Sequence, residues 1–337
     1  MCLCPNLIRC SATISAEGRG LFRRELRPHR GLQPVEQRGY YNEIKNKIID
    51  NETYSIVKDY SKEKHRVITY YEIGKLISEA GGKYGDKIID EYSKRLVKEV
   101  GKKYNRSTLF RMKQLYNVFS NEIVAPLVQQ LTWSHCLLLL PIKDINKIYY
   151  YGAQVSKRNL SKRQLEIIIK SKEYERLPEN TREKIINKDK TNIIDHVKNP
   201  VMIKNDNQYE QISEKILQKL ILEDIPSFLE ELGEGFSFIK NEYKIKIGDR
   251  YNYIDLLLYN IKHKCYVVVE LKIKELKKQD IGQIQVYMNY IDKNIKTIEE
   301  DKTIGIIICK EENKYIIKYC SDKRIISRKY ELIWLLI

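Results

Sequence analysis

Residues 253–272 read Tyr-Ile-Asp-Leu-Leu-Leu-Tyr-Asn-Ile-Lys-His-Lys-Cys-Tyr-Val-Val-Val-Glu-Leu-Lys. Two apolar runs, rich in β-branched and aromatic residues, flank a short polar stretch from Asn260 to Lys264, the pattern of a β-hairpin. Each run carries charge where a buried strand should have none: Asp255 in the first, Glu270 and Lys272 at the end of the second. An ionised carboxylate in an apolar setting is costly unless paired or metal-bound. Because side chains alternate across a strand, Glu270 and Lys272 share a face and Leu271 points to the other. Pairing about the Asn260–Lys264 turn brings Asp255 beside Glu270. Two close carboxylates call for a raised pKa or a divalent cation between them, and oxygen donors of this kind suit Mg²⁺ or Mn²⁺. A Lys at the same place can orient water and help deprotonate it for attack on a phosphodiester. In a chain with 31% charged residues, Glu-x-Lys alone is uninformative, and a lone buried Asp more often anchors a turn. An Asp in an apolar strand, then 14 residues, then an apolar run ending in Glu-x-Lys is far more specific.

The arrangement Asp255…Glu270-Leu271-Lys272 resembles the core of the PD-(D/E)xK nucleases, with Ile254 where a Pro often precedes the Asp. Together with Glu231-Leu-Gly-Glu-Gly-Phe-Ser-Phe-Ile and Gly282-Gln-Ile-Gln-Val-Tyr287, it resembles the YhcG-like bacterial family over about Tyr40 to Lys310. That resemblance implies an N-terminal helical domain followed by a restriction-endonuclease-like α/β domain with a mixed sheet, α+β overall. It further implies Asp255, Glu270 and the Leu271 backbone carbonyl as ligands of Mg²⁺ (or Mn²⁺) and Lys272 as the residue acting on the water. Glu231 matches an acidic residue that leans from a helix toward the metal. Gln283 and Tyr287, one turn apart on a helix, match a Gln-x-x-x-Tyr element: Gln283 contacts the metal site or substrate and Tyr287 the nucleic-acid backbone. Lys274, Lys277 and Lys278 would line the approach as phosphate contacts. The implied activity is a Mg²⁺-dependent endonuclease that cleaves DNA with a metal-activated water. The alternative is a catalytically silent nucleic-acid-binding module, or a partner-dependent subunit of a bacterial defence or toxin-like system; a homo-oligomer is compatible with either.

Composition agrees with a nucleic-acid partner. At 337 residues the chain accommodates two domains. Its net charge of +16, from 61 basic and 45 acidic residues, favours a polyanion. The longest apolar runs are too short for a membrane span. Of the seven cysteines, Cys136, Cys265, Cys309 and Cys320 read as reduced core residues of a cytoplasmic protein, while Cys2, Cys4 and Cys10 cluster near the start with no His or Cys pair following at zinc spacing.

Residues 1–38 are rich in Arg and Pro and lack Lys, unlike all that follows, and are expected to be a disordered or mis-assigned extension outside the fold. Residues 39–174 show helical periodicity. There, a helix from Asp86 to Val100, a basic turn, and a helix capped by Ser107 and running from Thr108 to Phe119 are expected to form a helix-turn-helix-like pair that offers Arg106, Arg111 and Lys113 to DNA. His135 reads as a core or cap residue. The polar, Pro-punctuated stretch 175–205 is expected to be a linker, partly helical at most, and 206–337 the nuclease domain, with the residues after about 310 adding peripheral structure.

Overall fold

The computed structural model describes residues 34–56, 62–81 and 85–334. The expected extension, up to residue 33, and its Cys2, Cys4 and Cys10 lie outside the described residues, as do the last three residues.

The N-terminal half is helical: α1 (Pro34–Ile56), α2 (Lys62–Gly81), α3 (Gly85–Glu99), α4 (Arg106–Phe119), α5 (Trp133–Leu139), α6 (Ile145–Arg158), α7 (Lys162–Lys170) and α8 (Glu179–Asn187). One apolar core joins them, running from Tyr41 through Ile73, Met112 and Tyr151 to Leu177. A single 3-10 turn, Lys102–Tyr104, links α3 to α4, and buried Tyr104 ties that turn to Glu52 of α1 through its hydroxyl. Asn105, two residues before the expected Ser107, caps α4: its side chain accepts from the Thr108 N–H at 3.1 Å. His135 closes a capping box with Thr132 at the start of α5.

Helix α4 crosses α2 at Gly74, where a Cβ would collide with the Met112 carbonyl. Gly74→Ala is therefore expected to force the two helices apart and to cost about 1–3 kcal/mol, read as a lower midpoint in thermal or urea unfolding.

The second half is a six-stranded sheet flanked by helices: β1 (Val201–Lys204), α9 (Glu214–Glu223), α10 (Ile225–Leu232), β2 (Phe236–Ile247), β3 (Arg250–Asn260), β4 (Cys265–Glu275), α11 (Lys278–Asn294), β5 (Ile304–Glu311), α12 (Lys314–Lys318) and β6 (Ile325–Ile333). Strand order is β1-β6-β5-β4-β3-β2. Strands β2, β3 and β4 form an antiparallel meander, whereas β4/β5, β5/β6 and β1/β6 are parallel, so the sheet is mixed. On one face, Leu217, Leu220 and Phe228 of α9 and α10 pack on Leu256, Val269 and Ile308. On the other, Ile284, Met288 and Ile291 of α11 pack on Leu257, Val268 and Ile307.

Two expectations are corrected. The 175–205 stretch, expected to be partly helical at most, holds a strand as well: beside α8 and a 3-10 turn it contains β1. The chain after 310 is central rather than peripheral, since β6 lies between β5 and β1 and pairs Tyr330 with Val201. Both surprises have one origin: a four-residue strand carries little periodicity, and its partner lies more than a hundred residues away. Among the described residues, no helix is long and apolar enough to cross a membrane, and Cys136, Cys265, Cys309 and Cys320 are free thiols.

Candidate active site

Asn260 shapes the hairpin that carries the charged residues. Its side-chain amide donates to the Glu234 carbonyl at 2.9 Å, and its Oδ1 accepts from the His263 N–H at 3.0 Å. The β3–β4 ladder runs from Asn260–Cys265 to Leu256–Val269. One step further, Asp255 reaches the position opposite Glu270. There the ladder gives way to a side chain: Asp255 Oδ2 accepts the Leu271 N–H at 2.8 Å. From α9, the Gln218 amide donates to the Asp255 carbonyl oxygen at 3.0 Å, fixing the backbone where the strands separate.

The electrostatics follow from this register. Glu270 is 1% exposed, and burial, followed by the neighbouring Asp255 carboxylate, pushes its pKa up to about 8. Burial is also the leading reason that Asp255 is raised above the ordinary carboxylate range, against the Leu271 N–H and Lys272, which oppose it. Lys272 Nζ lies 3.4 Å from Glu270 Oε2. Its own burial works against its charge, but Glu270, Glu214, Asp255 and Asp280 outweigh that and hold its pKa above normal. Lys272 is thus an ammonium at neutral pH. The second Glu270 oxygen, Oε1, is buried and has no hydrogen-bond partner.

Two family models match the chain: the DUF1016 N-terminal domain over residues 43–176 and the YhcG PDDEXK nuclease domain over residues 194–333. The chain belongs to the YhcG-like family. A relative from Escherichia coli (strain K12), named "Putative nuclease YhcG", is 24% identical over 293 residues, covering 72% of this chain and 76% of that protein. Among solved structures, a repair endonuclease from Pyrococcus abyssi (18% identity) and an EndoMS–dsDNA complex (19%) each align with 38% of this chain at a TM-score of 0.27. The chain spans about half the length of these two, 49% and 48%.

Within the YhcG-type domain, the remaining expected residues divide into those near the hairpin charges and those elsewhere. Gln283 and Tyr287 share a face of α11, and the Gln283 amide donates to the Tyr287 hydroxyl at 3.0 Å. The Tyr287 hydroxyl is held above its usual pKa chiefly by burial, with Glu270 and Asp255 adding to the effect. A cleft of about 540 Å³ is lined by Lys272, Lys274, Lys277 and Gln283 together with Glu214 and Asp280. Asp280 also caps α11, accepting the Lys277 N–H at 2.8 Å. Lys278 lines a different cavity, beside Ile281, Tyr315 and Tyr319. In the helical half, Arg106 pairs with Asp90 at 2.6 Å, Arg111 is exposed and Lys113 half-buried, all on α4 and none lining this cleft.

Glu231 is not brought to the site. Its carboxylate is held by the Arg176 guanidinium, by the Met202 N–H at 3.0 Å and by Lys198 at 3.7 Å. The helix-borne acid that does face Lys272 is Glu214 on α9, one helix earlier, with Gln218 one turn beyond it. The available signal is the Glu214-x-x-x-Gln218 spacing behind the Ser213 cap, but an exposed Glu in the first turn of a helix is common in any charged chain.

Proposed function

We propose that this chain is a Mg²⁺-dependent endonuclease that hydrolyses DNA phosphodiester bonds at the Asp255/Glu270/Lys272 site. One observation carries the reading: a carboxylate almost wholly buried beside a second carboxylate, one of its oxygens left without a partner. A fold tolerates that arrangement when a cation completes it. Among the described residues, no group of three or more His, Cys, Asp or Glu side chains forms a metal cluster. Two carboxylates with a backbone carbonyl nevertheless fit Mg²⁺, which keeps several waters and takes further oxygens from substrate phosphate. Asp255, Glu270 and the Leu271 carbonyl would hold the ion. When bound, it supplies Lewis acidity, neutralising charge on the phosphoryl group and making water acidic enough to attack near neutral pH.

The chain's own groups supply the rest. As an ammonium, Lys272 donates a hydrogen bond to orient the attacking water and offsets phosphate charge; action as a base requires that the carboxylates stop supporting its charge. Gln283 positions substrate, and the Tyr287 hydroxyl, held by Gln283, contacts the backbone of the bound strand. Lys274 and Lys277 take adjacent phosphates, and Arg111 with Arg106 on α4 adds a second contact from the helical domain. Free thiols at Cys136, Cys265 and Cys309, buried in both halves, support a cytoplasmic location.

The test is cleavage of internally labelled DNA and RNA of one sequence by wild type and Lys272→Ala, with Mg²⁺, Mn²⁺ or EDTA. DNA should be cut at internal positions with either metal and spared in EDTA, with Lys272→Ala slower by about 10²-fold or more. Cleavage that survives EDTA, is indifferent to Lys272, or favours RNA would refute the proposal.

A further inference from the structure

Past Leu256, strands β2 and β3 part from β4 and run on as a two-stranded arm. Pairing of β3 with β4 starts at Leu256, whereas its pairing with β2 runs on to Ile247–Arg250. In this arm, Lys244 lies opposite Tyr253 and Lys246 opposite Tyr251, so these four side chains share a face. The alternate pair, Tyr243 with Ile254, and Ile245 beyond it, turn inward, where Ile245 and Ile254 are buried in the core with α11. The Lys/Tyr face has no such cover. Tyr251 is 56% and Tyr253 52% exposed, and Lys244 Nζ stands 3.8 Å from the centroid of the Tyr251 ring. Exposed Arg250 adds charge at the tip.

The lysines alone have a simple explanation. Strand β2 is the edge of the sheet, and edge lysines prevent pairing with another chain. That does not account for two large aromatic rings left in water side by side. Tyr251 and Tyr253 are two residues apart on an antiparallel strand, about 6.8 Å. This is twice the ~3.4 Å rise of successive bases along a nucleic-acid strand. Rings at that spacing can alternate with bases, and cations across the ladder can meet the phosphates. The arm also leads straight to the proposed site: Asp255 follows Tyr253 by two residues on the same strand.

We propose that the arm binds an unpaired stretch of the substrate strand, with Tyr251 and Tyr253 stacking on its bases and Lys244 and Lys246 contacting its phosphates. The substrate class is then DNA with a single-stranded or opened segment near the scissile bond rather than uninterrupted duplex. This inference rests on the nuclease reading for the identity of the polymer.

It is tested with the full chain in EDTA, where binding is read without cleavage. The probes are a fluorescein-labelled single strand of roughly 16 nucleotides and its matched duplex. Tyr251→Ala/Tyr253→Ala should weaken binding of the single strand about tenfold or more, since each stacked base is a substantial contact. Duplex binding should hold, and Tyr251→Phe/Tyr253→Phe, which keeps the rings, should bind as wild type. Both tyrosines are solvent-exposed, and an unchanged circular-dichroism melt confirms that the variants are folded. Equal loss on single strand and duplex overturns the inference. So does undiminished binding of the single strand by the Ala pair, which leaves the nuclease reading intact and the arm free for a protein partner. A wild-type protein that neither binds these probes nor cuts DNA with Mg²⁺ refutes both.

Discussion

Glu270→Gln is expected to give a protein that no longer cleaves DNA yet, without metal at alkaline pH, is more stable than wild type. The loss of cleavage follows from removing one of the two carboxylates proposed to hold the metal. The gain in stability follows from burial. An unfolded Glu ionises near its ordinary pKa of about 4.3, whereas Glu270 in the fold does so only at about 8. Between those values the folded chain retains a proton that the unfolded chain releases. The resulting stabilisation is complete below about pH 4.3 and is lost as pH rises through about 8. A tenfold difference in proton affinity between the two states is worth about 1.4 kcal/mol, so the loss amounts to a few kcal/mol, with the opposing pull of Lys272 already contained in that pKa. Gln carries no such penalty. Unfolding midpoints measured in EDTA from pH 5 to 9 should fall for wild type and stay flatter for Glu270→Gln. Adding Mg²⁺ at pH 8.5 should raise the wild-type midpoint and leave the variant unmoved. Parallel curves for the two proteins would show that Glu270 is not a strained, metal-awaiting carboxylate.

The second large effect lies where the helical half meets the sheet. Arg176, in the stretch after α7, donates to both oxygens of Glu231 on α10, to the Ser171 carbonyl at 3.0 Å and to the Pro200 carbonyl at 2.9 Å. Buried Lys198 lies 3.6 Å from Glu173 and 3.7 Å from Glu231, and Arg158 reaches both Glu173 and Glu230. Removing one partner from a buried pair leaves the other charge uncompensated, a cost of about 3–5 kcal/mol. Arg176→Ala should lower stability by that order in urea unfolding, and Glu231→Gln by less, since an amide oxygen still accepts from the guanidinium. At a temperature where it is folded, Glu231→Gln should cut DNA at the wild-type rate. A dead but folded Glu231→Gln would restore the catalytic role that the resemblance implied and that the observed ion pair opposes.

The contrast between Glu231 and the hairpin shows what is legible in the sequence. Asp255, Glu270 and Lys272 violate strand composition within a local, two-residue periodicity, so their register and their meeting at one place follow from neighbours in the chain. Gln283 and Tyr287 likewise declare a shared helical face through their four-residue spacing. Glu231 misleads because its partner, Arg176, is 55 residues away and no local pattern announces it. Glu214 escapes notice for the converse reason: its place facing Lys272 comes from the docking of α9 against β4, while its own surroundings look like any capped helix start. The same limit explains β1, whose four residues acquire meaning only beside β6.

The most direct test of the central claim is conversion of covalently closed circular DNA by wild type and Asp255→Asn across a Mg²⁺ titration. A closed circle has no ends, so nicked or linear product reports internal cleavage alone. The account predicts nicking by wild type that rises with Mg²⁺ and disappears in EDTA, and none by Asp255→Asn at any concentration. Equal nicking by the two proteins, or an intact circle with wild type throughout, would contradict it.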